Sequence, residues 1–292
     1  MQHVGEFALS RVVESQVPFI DAATFLPQST PDVIEANLDW LMPRFIDPES
    51  GKLIFTFQSY ILRTPRHVIL VDTCVGNDKH RPARPMWHMM NNSYLADLAA
   101  AGVTPEQVDF VMCTHLHVDH AGWNTRLVDG RWVPTFPNAK YVFARDEYGF
   151  WEERHNSGVE GAVPNIFEDS VLPVMEAGQA VLVDSDHEFD TGIWFEPAPG
   201  HTPGNVVVNL RSGDATAVLS GDVIHHPLQL VRPEWSSRAC EDQAQSAKSR
   251  QALIERCCDT DTLLAPAHFA PPSAGHIVRR GDGFGYRLAA DD

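Results

Sequence analysis

The sequence predicts an α/β fold of layered strands and helices. Three observations predict it. Short apolar runs of strand length recur along the chain, capped helical segments lie between them, and histidines and aspartates sit where several of the strands give way to loops.

The strands come first. "HVILVDT" (His67–Thr73), "VDFVMCTH" (Val108–His115), "AKYVFAR" (Ala139–Arg145), "NVVVNL" (Asn205–Leu210), "TAVLSGD" (Thr216–Asp222) and "TLLAPAH" (Thr262–His268) are rich in β-branched or apolar residues. Gly, Pro or polar residues bound each run, which is the signature of a strand. Near-continuous apolar runs predict strands covered on both faces.

Helices fill the gaps. "NNSYLADLAAAG" (Asn91–Gly102) starts at an Asn or Ser cap and closes on Gly. In "TPEQVD", Thr104 is an N-cap with Pro105 at the first helical position. "CEDQAQSAKSRQALIERCC" (Cys240–Cys258) is acidic early and carries Arg256 late, as the helix dipole prefers. The segments around 76–92 and 147–178 are rich in Pro, Gly, Trp and Met and read as long loops or short helices that shape a pocket. No repeat or linker marks a boundary, so residues 1–292 are expected to form one domain.

Composition narrows the class. Hydrophobic residues at 43% and charged residues at 21% are ordinary for a globular protein with a sizeable core. The net charge of −17 repels phosphate backbones, which argues against nucleic acid as partner or substrate. Five cysteines without a C-x-x-C indicate buried thiols in a reducing compartment. The N-terminus has no secretory pattern and no apolar stretch approaches ~18 residues, so a cytoplasmic protein without a membrane span is expected.

The chemistry is concentrated in "CTHLHVDHAG", residues 113–122. His115, His117, Asp119 and His120 are four metal-ligand residues in six positions, and imidazole nitrogen with carboxylate oxygen suits zinc and similar divalent ions. His201 in "PGHTPG", Asp222 and His268 each follow a strand, and in open α/β sheets sites collect at the carboxyl ends of strands. Seven ligands are therefore expected at one rim of one sheet.

This constellation resembles the metallo-β-lactamase superfamily, from "LVDTCVG" near Asp72 to the terminal "APAH". The resemblance implies a four-layer αββα sandwich spanning residues 1–292 and a dinuclear site for two divalent metal ions. These are expected to be Zn2+, with Mn, Fe or Co accepted by the same donors. It assigns His115, His117 and His201 to one metal, Asp119, His120 and His268 to the other, and Asp222 to the bridge. Asp72 is either a brace for the ligand loop or a plain strand-end residue. The activity implied is that of a metal-dependent hydrolase of the lactonase or esterase type. A metal-bridging hydroxide would open a lactone or cleave a small carboxylic ester. Asp119 is the candidate to carry a proton to the leaving group.

"THLHVDHAGWN" and "GDVIHHPLQ" look most like the lactonases and the methyl-parathion-hydrolase-like enzymes. A Glu at the second His position would mark flavodiiron proteins, and a Cys at the bridging position would mark true β-lactamases; here stand His117 and Asp222. Phosphotriester hydrolysis and glyoxalase II-like thioester hydrolysis are the alternatives, and a non-catalytic metal-binding protein is a third. Acyl-homoserine lactonases often carry Tyr three residues after the bridging Asp. This chain has His225, either a catalytic hydrogen-bond donor to substrate or a loop residue without contact. Trp87, Trp123, Met86, Met89, Phe150 and Trp151 are either pocket wall or core. The expected partner is a small-molecule substrate, and base rates among oligomers favour a homodimer.

Overall fold

The computed structural model describes residues 1–158 and 166–290. Residues Met1–Glu14 and Phe57–His187 form one compact unit, and Ser15–Thr56 and Glu188–Asp292 form the other. Part of the predicted 147–178 segment, residues 159–165, lies outside the described residues.

The strands in chain order are β1 (Gln2–Val4), β2 (Phe7–Ile20), β3 (Leu53–Arg63), β4 (Val68–Val71), β5 (Phe110–Met112), β6 (Thr125–Val128), β7 (Arg131–Pro134), β8 (Lys140–Ala144) and β9 (Ala180–Val183). They continue with β10 (Glu188–Asp190), β11 (Ile193–Pro197), β12 (Val206–Ser212), β13 (Ala215–Gly221), β14 (Leu263–Pro266), β15 (Gly275–Arg280) and β16 (Gly283–Leu288). One seven-stranded sheet has the order β1-β2-β3-β4-β5-β8-β9, a second has β10-β11-β12-β13-β14-β15-β16, and β6 pairs with β7 alone.

All six runs read as strands are strands, and most of their apolar residues are buried as their composition demands. β14 is buried along its length, and so are all but the first residue of β4 and of β8. β4, β5, β8 and β9 pair in parallel, as do β13 and β14. Within each sheet, parallel neighbours bring carboxyl ends to one edge, and loops that follow such strands carry candidate ligands.

The helices follow their signals. Tyr94–Ala100 ends before Gly102, whose φ of 81° suits a glycine that closes a helix. Gln243–Cys257 is capped by Asp242, whose side chain accepts the Gln245 amide. Pro105–Gln107 forms only a 3-10 turn. The segment after β8 is more ordered than its composition suggests: Arg145–Asn156 is a twelve-residue helix, and Phe167–Val171 is a π-helical turn running into Leu172–Glu176. That π turn holds a buried ion cluster. Arg81 forks onto Asp169 at 2.6 and 2.8 Å, while Lys79 Nζ donates to Thr125 Oγ1 at 2.7 Å and to the Asp169 carbonyl at 2.9 Å. Burial pushes the Lys79 ammonium down to about 7. The loop 76–92 is thus pinned from beneath by its own cations.

All five cysteines are free thiols, four of them buried. Among the described residues no helix is long and apolar enough to cross a membrane.

Candidate metal centre

The first donor set follows β5. The chain leaves the strand at Met112, His115 is fully buried, and His117 is the N-cap of a one-turn helix, Val118–Ala121, that carries Asp119 and His120. His115 Nε2 and His117 Nδ1 lie 3.0 Å apart. The His115 and His120 ring centroids are 4.1 Å apart.

Asp72, just past β4, organises this turn. Its Oδ1 accepts the Thr114 amide at 2.8 Å, and its Oδ2 accepts the Thr114 hydroxyl at 2.9 Å and faces His120 Nδ1 at 2.8 Å. A proton held on Nδ1 by the carboxylate leaves the Nε2 lone pair for a metal. Asp72 adopts φ 60°, a left-handed conformation that Asp tolerates better than most residues. Of the two readings of Asp72, the brace is the one its contacts support.

The glycine of "HVDHAG" has its own reason. Gly122 donates its amide to the Cys74 carbonyl at 2.8 Å, and a Cβ there would lie 1.8 Å from the Val75 carbonyl oxygen. The Val75–Gly76 turn is held in turn by half-buried Glu14. That carboxylate accepts the Val75 and Gly76 amides, the Asn92 side chain and the Trp123 indole N–H at 2.7–3.1 Å. Burial raises the Glu14 carboxyl and the hydrogen bonds counter it.

The second donor set lies on loops leaving β11, β13 and β14. Asp222 is at its centre. Its Oδ2 is 3.2 Å from His201 Nε2 and its Oδ1 is 2.9 Å from His268 Nε2, so the two oxygens face different imidazoles. Each imidazole is oriented from behind. His268 Nδ1 faces the Thr56 carbonyl at 3.0 Å, and His201 Nδ1 faces Cys240 Sγ at 3.5 Å. Burial lowers the His201 imidazole and the Asp222 carboxylate outweighs it, holding it at about 10; burial raises the Cys240 thiol and its contact with His201 outweighs that, leaving it at about 7. Gly200 precedes His201 at φ 124°, where a Cβ would meet the Ser246 amide at 2.1 Å.

The donor chemistry fits divalent ions. Adjacent nitrogens on a tetrahedral zinc with bonds near 2.0–2.1 Å stand about 3.3 Å apart. The His115–His117, His201–Asp222 and His268–Asp222 pairs all fall at 2.9–3.2 Å. Two groups of residues offer donor atoms within 4.8 Å of one another: His115, His117, His201 and Asp222, and then Asp119, His120 and His268.

The Metallo-beta-lactamase superfamily matches residues 58–268. The chain belongs to this superfamily. The metallo-β-lactamase α/β fold expected from the sequence is the one observed, with mixed helix and strand and two large sheets. An N-acyl homoserine lactonase of Bacillus cereus is 27% identical over 122 residues, 42% of this chain and 40% of the relative, so well under half of the relative's length is spanned. Among solved structures, the hydrolase AbOPH of the beta lactamase superfamily aligns with TM-score 0.80 at 22% identity, covering 100% of this chain and 97% of that one. AidC, a dizinc quorum-quenching lactonase in complex with a product, aligns with TM-score 0.78 at 20% identity over the same shares. Likenesses at these identities speak for the fold.

Within this metallo-β-lactamase chain, two expectations need correction. The seven candidate ligands do not share one sheet: four follow β5 of the first, and three follow strands of the second. Strands of both sheets end in short polar loops, and sequence alone carries no label for the sheet. The run "AGWN", which reads in the sequence as a turn followed by a helix, instead holds a 3-10 turn at Gly122–Asn124 and runs straight into strand β6.

The remaining candidates separate by contact. His225 is buried beside Asp222, with Nε2 3.2 Å from Oδ2. Burial pushes its imidazole down to about 4. His226 is structural, with Nε2 on the Phe45 carbonyl at 2.8 Å and Nδ1 accepting the Leu228 amide at 3.2 Å. Trp123 stacks on Tyr94 in the core, and Trp87 packs edge-on against Phe57. Of these aromatic candidates, Trp151 reaches a candidate ligand, edge-on to His117 at 5.5 Å, with Phe150 against it. Met86 and Met89 are exposed. Nothing in the residues beside Glu14 or Cys240 marks either as a brace in the sequence.

Proposed function

We propose that this metallo-β-lactamase-fold chain, residues 1–292 taken as one domain, is a dinuclear-metal hydrolase that opens a lactone or cleaves a small carboxylic ester. The observation that carries this reading is Asp222, a carboxylate that turns one oxygen to His201 and the other to His268. It is the arrangement expected of a residue bridging two ions, and five histidines and Asp119 complete the two groups. A structural zinc site is normally closed by four ligands, whereas this set exceeds what one ion needs.

His115, His117 and His201 would hold one ion, Asp119, His120 and His268 the other, and Asp222 both. Zn2+ suits these donors best, and Mn, Fe or Co are accepted by the same chemistry. When bound, the pair of ions supplies an acidified water, with pKa near about 7, and a Lewis acid for the substrate oxygen. Asp119 is partly exposed beside these donors and can carry a proton to the leaving group. His225 presents a buried ring with Nε2 3.2 Å from Asp222 Oδ2 and can donate to the substrate carbonyl.

The choice of a lactone follows from the relatives. The curated sequences that match are N-acyl homoserine lactonases, and AidC is described with a homoserine product. The acidic surface fits a small neutral substrate better than a polyanion.

Metal analysis with a substrate panel tests the proposal. About two zinc equivalents with lactone turnover that a chelator abolishes is the expected result. Turnover of phosphotriesters or thioesters without lactones would shift the substrate class at the same site. Metal uptake without turnover of any of them would make the chain a binding protein and overturn the reading.

A further inference from the structure

Behind the His115–His117 turn stands a buried carboxylate that the reaction does not use. Glu147 lies in the helix Arg145–Asn156 with only 2% of its surface exposed. Its Oε1 accepts the Leu116 amide at 2.8 Å and the Trp151 indole N–H at 2.7 Å. Leu116 is the residue between the two histidines. Trp151, one helical turn beyond Glu147, presents its ring to His117 at 5.5 Å. One oxygen therefore touches the backbone between two candidate ligands and fixes the ring that packs on one of them.

We infer that Glu147 is a positioning residue, a clamp that holds His115 and His117 in ligating geometry through the Leu116 amide and the Trp151 ring. The inference rests on the metal-centre reading above. The physical argument is direct. A buried carboxylate is costly unless hydrogen bonds satisfy it. The Leu116 amide belongs to a loop with no strand partner, so without an acceptor it would be a buried orphan. Residues four apart on a helix share a face, so Glu147 and Trp151 act as one rigid tool. Restricting the backbone at Leu116 restricts both neighbouring Cα–Cβ vectors, and Trp151 limits rotation of the His117 ring. Ligands held in advance lose less entropy when an ion binds, and partners of this kind change metal affinity by about 10–100-fold when removed.

Two variants separate hydrogen bonding from charge. Glu147→Gln keeps a carbonyl oxygen that accepts both N–H groups, whereas Glu147→Leu accepts neither. The readouts are the rate of zinc loss to a chelator and the exchange rate of the Leu116 amide in metal-free protein. E147L is expected to lose zinc about 10-fold faster or more, with faster Leu116 exchange, while E147Q stays close to wild type on both. If E147L retains zinc like wild type, the clamp is wrong and the metal centre stands. If E147Q behaves like E147L, charge rather than the hydrogen bonds is responsible and the clamp is again wrong. Should E147L fail to fold, Trp151→Phe decides with E147Q: it keeps an aromatic ring on the same face and removes the N–H, and zinc loss several-fold faster is expected. A wild-type rate in W151F overturns the clamp. A wild-type protein that takes up no zinc, with Leu116 protected as described, overturns the metal-centre reading and the positioning role with it.

Discussion

Asp72 Oδ2 lies 2.8 Å from His120 Nδ1, and the same carboxylate takes the Thr114 amide at 2.8 Å. One side chain thereby sets the tautomer of a candidate ligand and the path of the backbone entering the ligand turn. Asp72→Ala is expected to lower metal affinity by about 10–100-fold, with one of two equivalents lost on dialysis. Metal counting after dialysis reads this directly, and full retention of both ions would contradict it.

Asp222 is expected to be more costly to replace. Asp222→Ala removes the group facing His201 Nε2 and His268 Nε2 together. Binding of both ions should weaken, and kcat/KM for a lactone should fall by about 100-fold or more. Titration of zinc into the metal-free variant would show it. Two tight sites in that titration would exclude a bridge.

Asp119 separates binding from proton transfer. Asp119→Asn keeps an oxygen donor and removes the base, so the rate should fall by about 100- to 10,000-fold while some metal is retained. A variant with full metal content and full rate has no use for Asp119 as a proton carrier.

Gly122→Ala tests the close approach behind the turn. A Cβ placed 1.8 Å from the Val75 carbonyl oxygen forces the backbone apart. A loss of roughly 1–3 kcal/mol or more in urea unfolding is expected, together with metal loss. Unchanged stability would mean that the loop yields freely.

Lys79 makes stability depend on pH. Burial brings its ammonium down to about 7, while an unfolded lysine titrates near about 10.4. Between these values the unfolded chain binds the extra proton, so this group makes stability rise with pH, by up to about 1.4 kcal/mol per unit. Below about pH 7 both states carry the charge and the slope vanishes. Lys79→Met should flatten the rise between pH 7 and 10 relative to wild type in urea melts. An identical slope in the variant would show that Lys79 keeps its proton in the folded chain.

The contrast between what was readable and what was hidden follows the range of the forces. "THLHVDHAGWN" announces its donors because they are consecutive, and the strands around Leu70, Val111 and Leu264 announce themselves because a strand buried on both faces needs an unbroken apolar run. Strand β3 escaped notice because Thr56, Gln58 and Ser59 interrupt its pattern, although all three are buried. Helix Arg145–Asn156 escaped because its aromatic and charged residues follow no clean stripe.

The sequence by itself determined the α/β class and the donor types, since local patterning and residue chemistry suffice for these, and it carries the resemblance to the superfamily. Only the tertiary structure decided that the donors leave two sheets and that Asp72 faces His120. It also decided that Cys240 stands behind His201 and that Glu147 holds Leu116. These pairs lie 31 to 48 residues apart in the chain. A hydrogen bond carries no trace of itself in the residues beside each partner, so folding has to bring the two together before either has a role.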